Sequence, residues 1–159
     1  MAGTFFVSIK GKKQGQFTGD SGKNQTEIPI LGFSYGVTSP RDPVSGLATG
    51  RRQHKPVAIL KEWGPASVQI FEALVTNETL SPVIIREMRT DPSGKEATYM
   101  EIRLTNASIS ALQIDPERQD DKPTFTDHEI ERVEFTFQKI EIENFLSKST
   151  ASDDWEARV

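Results

Sequence analysis

Apolar residues alternate with polar ones along most of this chain, and this period of two restricts its fold more than any other feature. Phe5, Val7 and Ile9 share one parity near the start, and residues 31–37 repeat the pattern. Because successive side chains of a strand point to opposite faces, such alternation predicts strands with one buried face. The short apolar run at residues 57–60 predicts a strand that is covered on both faces. The chain is therefore expected to be mainly β.

The later strands contain a turn signal and a change of face. Residues 83–88 and 98–114 flank Asp91–Lys95, where a proline followed by serine and glycine predicts a hairpin. In the last long strand the apolar residues change parity between Phe137 and Ile140. Apolar residues cannot change face in a regular strand, so a bulge or a change of environment is expected between these two residues. Long bent strands of this kind are typical of a closed or nearly closed barrel.

One segment has helical spacing instead of strand spacing. Val68, Phe71 and Leu74 recur every three residues after a proline, which is tolerated in the first turn of a helix. This spacing predicts one helix over roughly residues 65–76, packed against the barrel or covering one of its mouths. Asn77 is a candidate for its end.

Length fits a single domain, residues 1–159, built as a small, nearly closed β-barrel of antiparallel strands with one short helix and a long extended loop. The chain has no cysteine, which excludes disulfides, thiolate catalysis and cysteine-ligated zinc. A net charge of −4 argues against a general nucleic-acid binder. No stretch approaches the ~20 apolar residues of a membrane helix, and the start lacks the features of a secretory signal peptide. Synthesis in the cytoplasm without membrane insertion is therefore expected.

A serine hydrolase is the one enzyme that the sequence suggests. The stretch Gly32–Gly36 matches G-x-S-x-G, in which a sharp strand-to-helix turn exposes a nucleophilic serine, here Ser34. The match lies inside an alternating strand and is followed by prolines, so a plain strand residue is favoured and the hydrolase is the weaker alternative. The two histidines, His54 and His128, lack the spacing of a metal site. No catalytic residue, metal or other cofactor is therefore expected.

Two segments of opposite charge are candidates for contacts with other proteins. The first, Ser39–Lys55, is rich in proline and glycine, exceeds the usual length of a loop and has four basic residues against one acidic, a net charge of +3. The second, residues 115–131, has a net charge of −5. No aromatic residue accompanies the basic segment to stack on nucleic-acid bases, so a protein contact is favoured. The polar tail contains one aromatic residue, Trp155, which is expected to anchor the tail on its own barrel or on an adjacent subunit.

Several stretches, in a fixed order along nearly the whole chain, resemble one known family. They are Thr49–Pro56, Lys61–Glu62, the helix start Ala66–Ser67, Pro123–His128, Glu131–Ile140 and Asp153–Glu156. As an ordered set, they are similar to the haemolysin-coregulated protein (Hcp) family of type VI secretion.

The resemblance implies a structural protein and not an enzyme. Members of the family are implied to be barrels that assemble as hexameric rings, which stack head-to-tail into a tube inside a contractile sheath, with a spike protein at the tip. The tube is ejected when the sheath contracts, and its lumen can hold small effectors. The protein is then expected to be made in the cytoplasm and secreted by the type VI machine without a signal peptide. A tail-tube protein of a phage or of an extracellular contractile injection particle is the alternative, because it shares the barrel.

The resemblance also implies that the segment Ser39–Lys55 reaches a neighbouring ring. Head-to-tail stacking requires two different complementary surfaces on one chain, and the basic and acidic segments supply such a pair if they lie at opposite ends of the barrel. The expected stacking residues of the basic segment are Arg41, Val44, Leu47, Arg51, Arg52, His54 and Lys55. The expected acidic partners are Asp115, Glu117, Asp120 and Asp121.

Overall fold

Antiparallel strands carry most of the residues in the computed structural model of the protein, which describes residues 3–19, 26–116 and 129–155. Its elements are, in chain order, β1 (Thr4–Gly11), β2 (Gly15–Gln16), β3 (Ile28–Ile30), β4 (Gly32–Ser34), β5 (Val37–Thr38), β6 (Gln53–His54), β7 (Val57–Glu62), α1 (Ser67–Val75), β8 (Leu80–Thr90), β9 (Glu96–Thr105), β10 (Ser108–Pro116), β11 (Glu129–Thr136), β12 (Lys139–Asn144) and β13 (Ser149–Asp154).

Two antiparallel sheets and one short ladder organise these strands. The larger sheet has the order β13-β12-β9-β8-β1-β2, with β3 also paired to β1, and the smaller has the order β10-β11-β7-β4. β5 and β6 pair only with each other. Leu31 alone separates β3 from β4, so the chain passes directly from one sheet to the other at this point. The two sheets therefore bend around a shared interior.

The interior is filled by side chains from both sheets. Val7, Ile9 and Ile85 of the seven-stranded sheet and Ile59 and Phe135 of the four-stranded sheet are all 0% exposed. Each apolar side chain of this size stabilises the fold by ~1.5–3 kcal/mol when it is fully buried. The buried residues of β1 have the parity that alternation predicts. The expected mainly β, nearly closed barrel with one short helix is confirmed.

The predicted hairpin is confirmed, but the long strand that was predicted to follow it is two strands. The Asp91 carboxylate accepts hydrogen bonds from the backbone N–H groups of Ser93 and Lys95, each at 2.9 Å, and closes the turn between β8 and β9. The predicted strand 98–114 breaks at Asn106, whose φ of 49° lies in the left-handed region. There the chain leaves the seven-stranded sheet and enters the four-stranded one. The buried residues change parity at this point, from Ile102 and Leu104 before the break to Ala107 and Ile109 after it. The sequence interpretation overlooked this signal.

The predicted change of face between Phe137 and Ile140 is also confirmed. β11 ends at Thr136 in the four-stranded sheet, and β12 begins at Lys139 in the seven-stranded sheet. The apolar residues change parity because the chain changes sheets. The predicted strand 31–37 likewise splits, since β4 and β5 belong to different sheets.

The helix forms where helical spacing predicts it, with slightly shorter bounds. Ile70 and Ala73 pack into the core, whereas Val68 and Phe71 on its outer face are exposed. Asn77 has a φ of 54° and so lies in the left-handed conformation that commonly ends a helix. No helix in the described part of the chain is long and apolar enough to cross a membrane.

A buried ion pair joins the start of the helix to the four-stranded sheet. Lys61 Nζ lies 2.8 Å from Glu131 Oε2 and donates to Ser67 Oγ at 3.0 Å. The Lys61 and Glu131 side chains are 2% and 0% exposed. Glu131 was counted in the acidic segment above, and this assignment is corrected: its charge is neutralised inside the barrel. The exposed acidic surface is smaller than the sequence count implies.

Candidate functional site

The segment between β5 and β6, residues 39–52, projects from a short ladder and is called the extension below. Val37 pairs with His54 and Thr38 with Gln53, and the Lys55 N–H donates to the Gly36 carbonyl at 2.9 Å. Gln53 and His54, near the end of the predicted loop Ser39–Lys55, therefore form a strand. The extension is a long hairpin with a regular base.

A closed turn forms the tip of the extension. The Asp42 N–H donates to the Leu47 carbonyl at 2.8 Å, and the Asp42 carboxylate accepts from the N–H of Val44 at 2.9 Å and from the hydroxyl of Ser45 at 3.0 Å. These bonds lower the pKa of Asp42, the Val44 N–H most of all. Gly46 supplies a φ of 73°. The turn holds Val44 and Leu47 outward with 94% and 68% of their surface exposed.

The base of the extension is held by side chains from distant parts of the chain. Arg52 forms an ion pair with Asp153 and also donates to the Asp154 carbonyl at 3.2 Å. His54 Nε2 lies 2.6 Å from Asp153 Oδ2, and its Nδ1 lies 2.6 Å from the Tyr35 hydroxyl. We call Tyr35, Arg52, His54, Asp153 and Trp155 the clasp.

The clasp lies in a partly water-excluded environment with perturbed acid–base properties. The Arg52 guanidinium holds the pKa of Asp153 at about 2, with hydrogen bonding from His54 adding to the effect. Burial raises the pKa of Tyr35, and the negative charge of Asp153 raises it further. Asp153 therefore stays ionised and Tyr35 protonated across the physiological range.

Aromatic rings pack around His54 and complete the clasp. The His54 ring centroid lies 4.9 Å from that of Trp155 and 5.4 Å from that of Phe137. The backbone N–H of Trp155 donates to the Gln138 carbonyl at 2.9 Å, and the Arg51 guanidinium donates to the Trp155 backbone carbonyl at 3.0 Å. The His54 side chain is only 4% exposed as a result.

Comparison with known proteins places the chain in a family. Residues 6–143 match the family described as "Type VI secretion system effector, Hcp". The chain belongs to the Hcp family. This match, over most of the chain, confirms the resemblance found in the sequence and, with it, the expectation of a structural protein and not an enzyme.

Relatives with similar sequences and folds cover the whole chain. The Major exported protein of Pseudomonas aeruginosa is 35% identical over 100% of this chain and 99% of its own. A protein described as "Crystal structure of Hcp protein" superposes with a TM-score of 0.87 at 25% identity, covering 99% of this chain and 100% of that one. The secreted protein Hcp3 of Pseudomonas aeruginosa gives 0.77 at 29% identity, covering 98% and 100%.

The residues of the basic segment that were predicted to contact a neighbouring ring fall into two groups. Arg41, Val44, Leu47 and Lys55 are exposed. Arg51, Arg52 and His54 instead bind the chain's own tail, and their expected role at a ring contact stays a prediction. Asp115 is exposed at the end of β10, whereas Glu117, Asp120, Asp121 and His128 lie outside the described residues.

Sequence reasoning missed the partners of His54. Tyr35 had no distinguishing signal, because it reads as one more apolar residue of an alternating strand. Asp153 lies in a stretch that carries the family resemblance, but the pattern gives no hint that it binds the loop. Trp155 lies against its own chain, at His54.

Ser34 does not have the setting of a nucleophile. It is exposed in β4 opposite Ala58, and the chain continues into β5 instead of a helix. The nucleophile elbow requires a strand-to-helix turn, so this geometry contradicts the hydrolase alternative. Among the described residues, no group of three or more His, Cys, Asp or Glu side chains is placed to hold a metal ion.

Proposed function

We propose that this chain is the subunit of a type VI secretion inner tube. In this proposal hexameric rings stack head-to-tail, a contracting sheath ejects the tube, a spike protein caps its tip, and small effectors ride in the lumen. The observation that carries the proposal is the family match over residues 6–143. The name of the Pseudomonas relative, Major exported protein, supports export of this chain by the machine that it helps to build.

The extension has the properties expected of a ring contact. Its tip holds Val44 and Leu47 in water although both are apolar, and Arg41 stands exposed beside them. Exposed apolar residues presented by a closed turn favour contact with another protein surface. Asp115 is exposed on the four-stranded sheet and is a candidate member of the complementary surface.

Weak individual contacts are sufficient for stacking because they act in parallel. An exposed ion pair contributes only ~0–1 kcal/mol. In a ring every subunit engages at once, so a small change in each contact has a large effect on the growth of a tube. Contacts of this strength also allow a tube to come apart after ejection.

Replacing residues 44–50 by a short Gly-Ser link tests the role of the extension. We expect single rings to persist, while stacked tubes and secreted protein are lost. Electron microscopy of purified protein measures the tubes, and an immunoblot of culture supernatant measures secretion. A matched control replaces residues 92–95, the exposed turn between β8 and β9, by the same link. Long tubes and normal secretion in the extension variant would contradict the proposed contact.

The ring itself is tested separately. Light scattering after gel filtration is expected to give a mass of about six subunits, because the resemblance to the Hcp family implies hexameric rings. A clean monomer at tens of micromolar would contradict the tube function as a whole.

A further inference from the structure

We infer that the clasp fixes the direction of the extension for docking on the next ring, and that Asp153 is a positioning residue for ring stacking. The inference rests on the proposed function. The extension leaves the barrel through a ladder in which Val37 pairs with His54 and Thr38 with Gln53. An isolated two-stranded ladder is marginally stable in water, so this ladder alone does not hold a long projection in one direction.

The clasp supplies the missing support by tying the ladder to a second sheet. Asp153 lies on β13 opposite Ile140 of β12, and the backbone N–H of Trp155 donates to the carbonyl of Gln138, just before β12. Asp153 is thereby part of the seven-stranded sheet. The chain adjoining the ladder leads instead to β4 and β7 of the four-stranded sheet. The ion pair therefore braces the extension from a different side than the backbone does.

The contacts at Asp153 are suited to setting an angle. Arg52, just before β6, and His54, two positions later, bind the same carboxylate, as residues on one face of an extended chain can. Arg52 also donates to the backbone carbonyl of Asp154. Charge-assisted hydrogen bonds of this type are directional, and two donors on one carboxylate leave little rotational freedom. The His54 side chain is only 4% exposed, so it cannot turn into water without leaving these contacts.

The residues of the segment are thereby divided between two roles, binding the chain's own tail and contacting another ring. Arg51 and Arg52 are turned back toward the tail, where they bind the Trp155 carbonyl and the Asp153 carboxylate. Arg41, Val44 and Leu47 remain available at the outer part of the extension. Docking is thus assigned to the tip, and direction is assigned to the base.

Amide hydrogen exchange of the purified full-length protein tests the brace directly. Asp153→Asn keeps the shape of the side chain and removes its charge. We expect exchange in residues 37–55 to become about tenfold faster, while the protection of β8 and β9 stays unchanged. Glu143→Gln is the matched control, because it removes one negative charge from the adjacent strand β12 without touching the clasp. Unchanged exchange in Asp153→Asn would overturn the inference.

A variant on the loop side guards against an indirect effect of Asp153→Asn. Arg52→Gln is expected to give the same pattern of faster exchange. In the double variant, exchange in residues 37–55 is expected to be no faster than in either single variant. Additive effects of the two substitutions would show that the residues act separately and would overturn the brace.

Tube formation by the same variants separates the brace from the proposed function. Single rings without stacked tubes, seen by electron microscopy for Asp153→Asn and not for Glu143→Gln, would support positioning. Faster exchange with normal tubes would overturn the role of Asp153 in stacking. Failure of the wild-type protein to form rings would contradict the proposed function, whereas the exchange result would still decide whether the brace exists.

Discussion

The tip of the extension and its base are held in different ways. At the tip, Asp42 binds groups two and three positions further along the chain. At the base, Arg52 and His54 bind Asp153, which lies 101 and 99 positions away. The tip is a local structure that its own residues can form, whereas the base exists only when both sheets are folded. Substitutions at the tip should therefore change contacts with other molecules, and substitutions at the base should change the fold as well.

The largest effect on stability is expected at the base. His54→Ala should lower the free energy of unfolding by about 2–3 kcal/mol, because it removes a buried ring and leaves Tyr35 and Asp153 without this partner. Urea unfolding at a fixed protein concentration measures the change. Lys55→Ala, at the exposed neighbouring position, should change stability by less than ~0.5 kcal/mol. Equal effects of the two substitutions would mean that the base is no more integrated than the surface.

Acid should weaken the base through Asp153. The pKa of this carboxylate is about 2 in the folded chain, below the value of about 3.9 for an unperturbed aspartate. Ionised Asp153, facing Arg52, His54 and Tyr35, thus contributes stability that is fully present above about pH 4 and is lost as the pH falls toward 2. The stability difference between wild type and Asp153→Asn should shrink over this window. A difference that stays constant from pH 5 to about pH 2 would rule out the ion pair as its source.

A smaller effect is expected from the backbone of the tip. Gly46→Ala should destabilise the protein by about 1 kcal/mol, because the φ of 73° is unfavourable for a residue with a side chain. Gly50→Ala is the matched control, since an added Cβ there would meet only Pro40 at an ordinary 3.9 Å. Thermal unfolding of the two variants makes the comparison, and identical midpoints would show that the tip is not fixed in this turn.

The smallest effect on stability is expected at the outermost side chain. Val44→Ser should change the free energy of unfolding by less than ~0.5 kcal/mol, because the side chain is 94% exposed. In the proposed tube the same substitution should nevertheless reduce stacking. A clear loss of stability in isolated rings would mean that Val44 is buried by a contact within the ring instead.

The sequence predicted those parts of the fold that depend on neighbours in the chain. Alternation located most strands, the Asp91–Lys95 turn located the hairpin, and the parity change located the crossing between sheets at residues 137–140. The break at Asn106 was missed although the buried residues change parity there, from Leu104 to Ala107. The serines around Ile109 and the small Ala107 make this change weaker in the sequence than the one at residues 137–140. Periodicity reports which face is buried but not which sheet a strand joins.

The candidate site was less predictable for the same reason. The tip contains proline, glycine and an aspartate that binds nearby backbone, and these residues indicate a loop wherever they occur. The base depends on a match between Arg52 and Asp153, and many other carboxylates in the chain could have been its partner. Glu131 shows the opposite error: it was counted as an exposed acid but is 0% exposed and bound to Lys61. Charge counts along a sequence do not distinguish buried pairs from surface charge.

The Lys61–Glu131 pair also has a consequence for how the chain reaches its native strand order. The two residues lie directly opposite each other on β7 and β11. A slip of one position would set Lys61 against Ile130 or Arg132 and turn every side chain of the slipped strand to the other face. The charge on the strand that did not slip would then remain in the interior without its partner, at a cost of several kcal/mol. Misaligned registers of the sheet are thereby destabilised, and the ion pair helps to fix the alignment of β7 with β11.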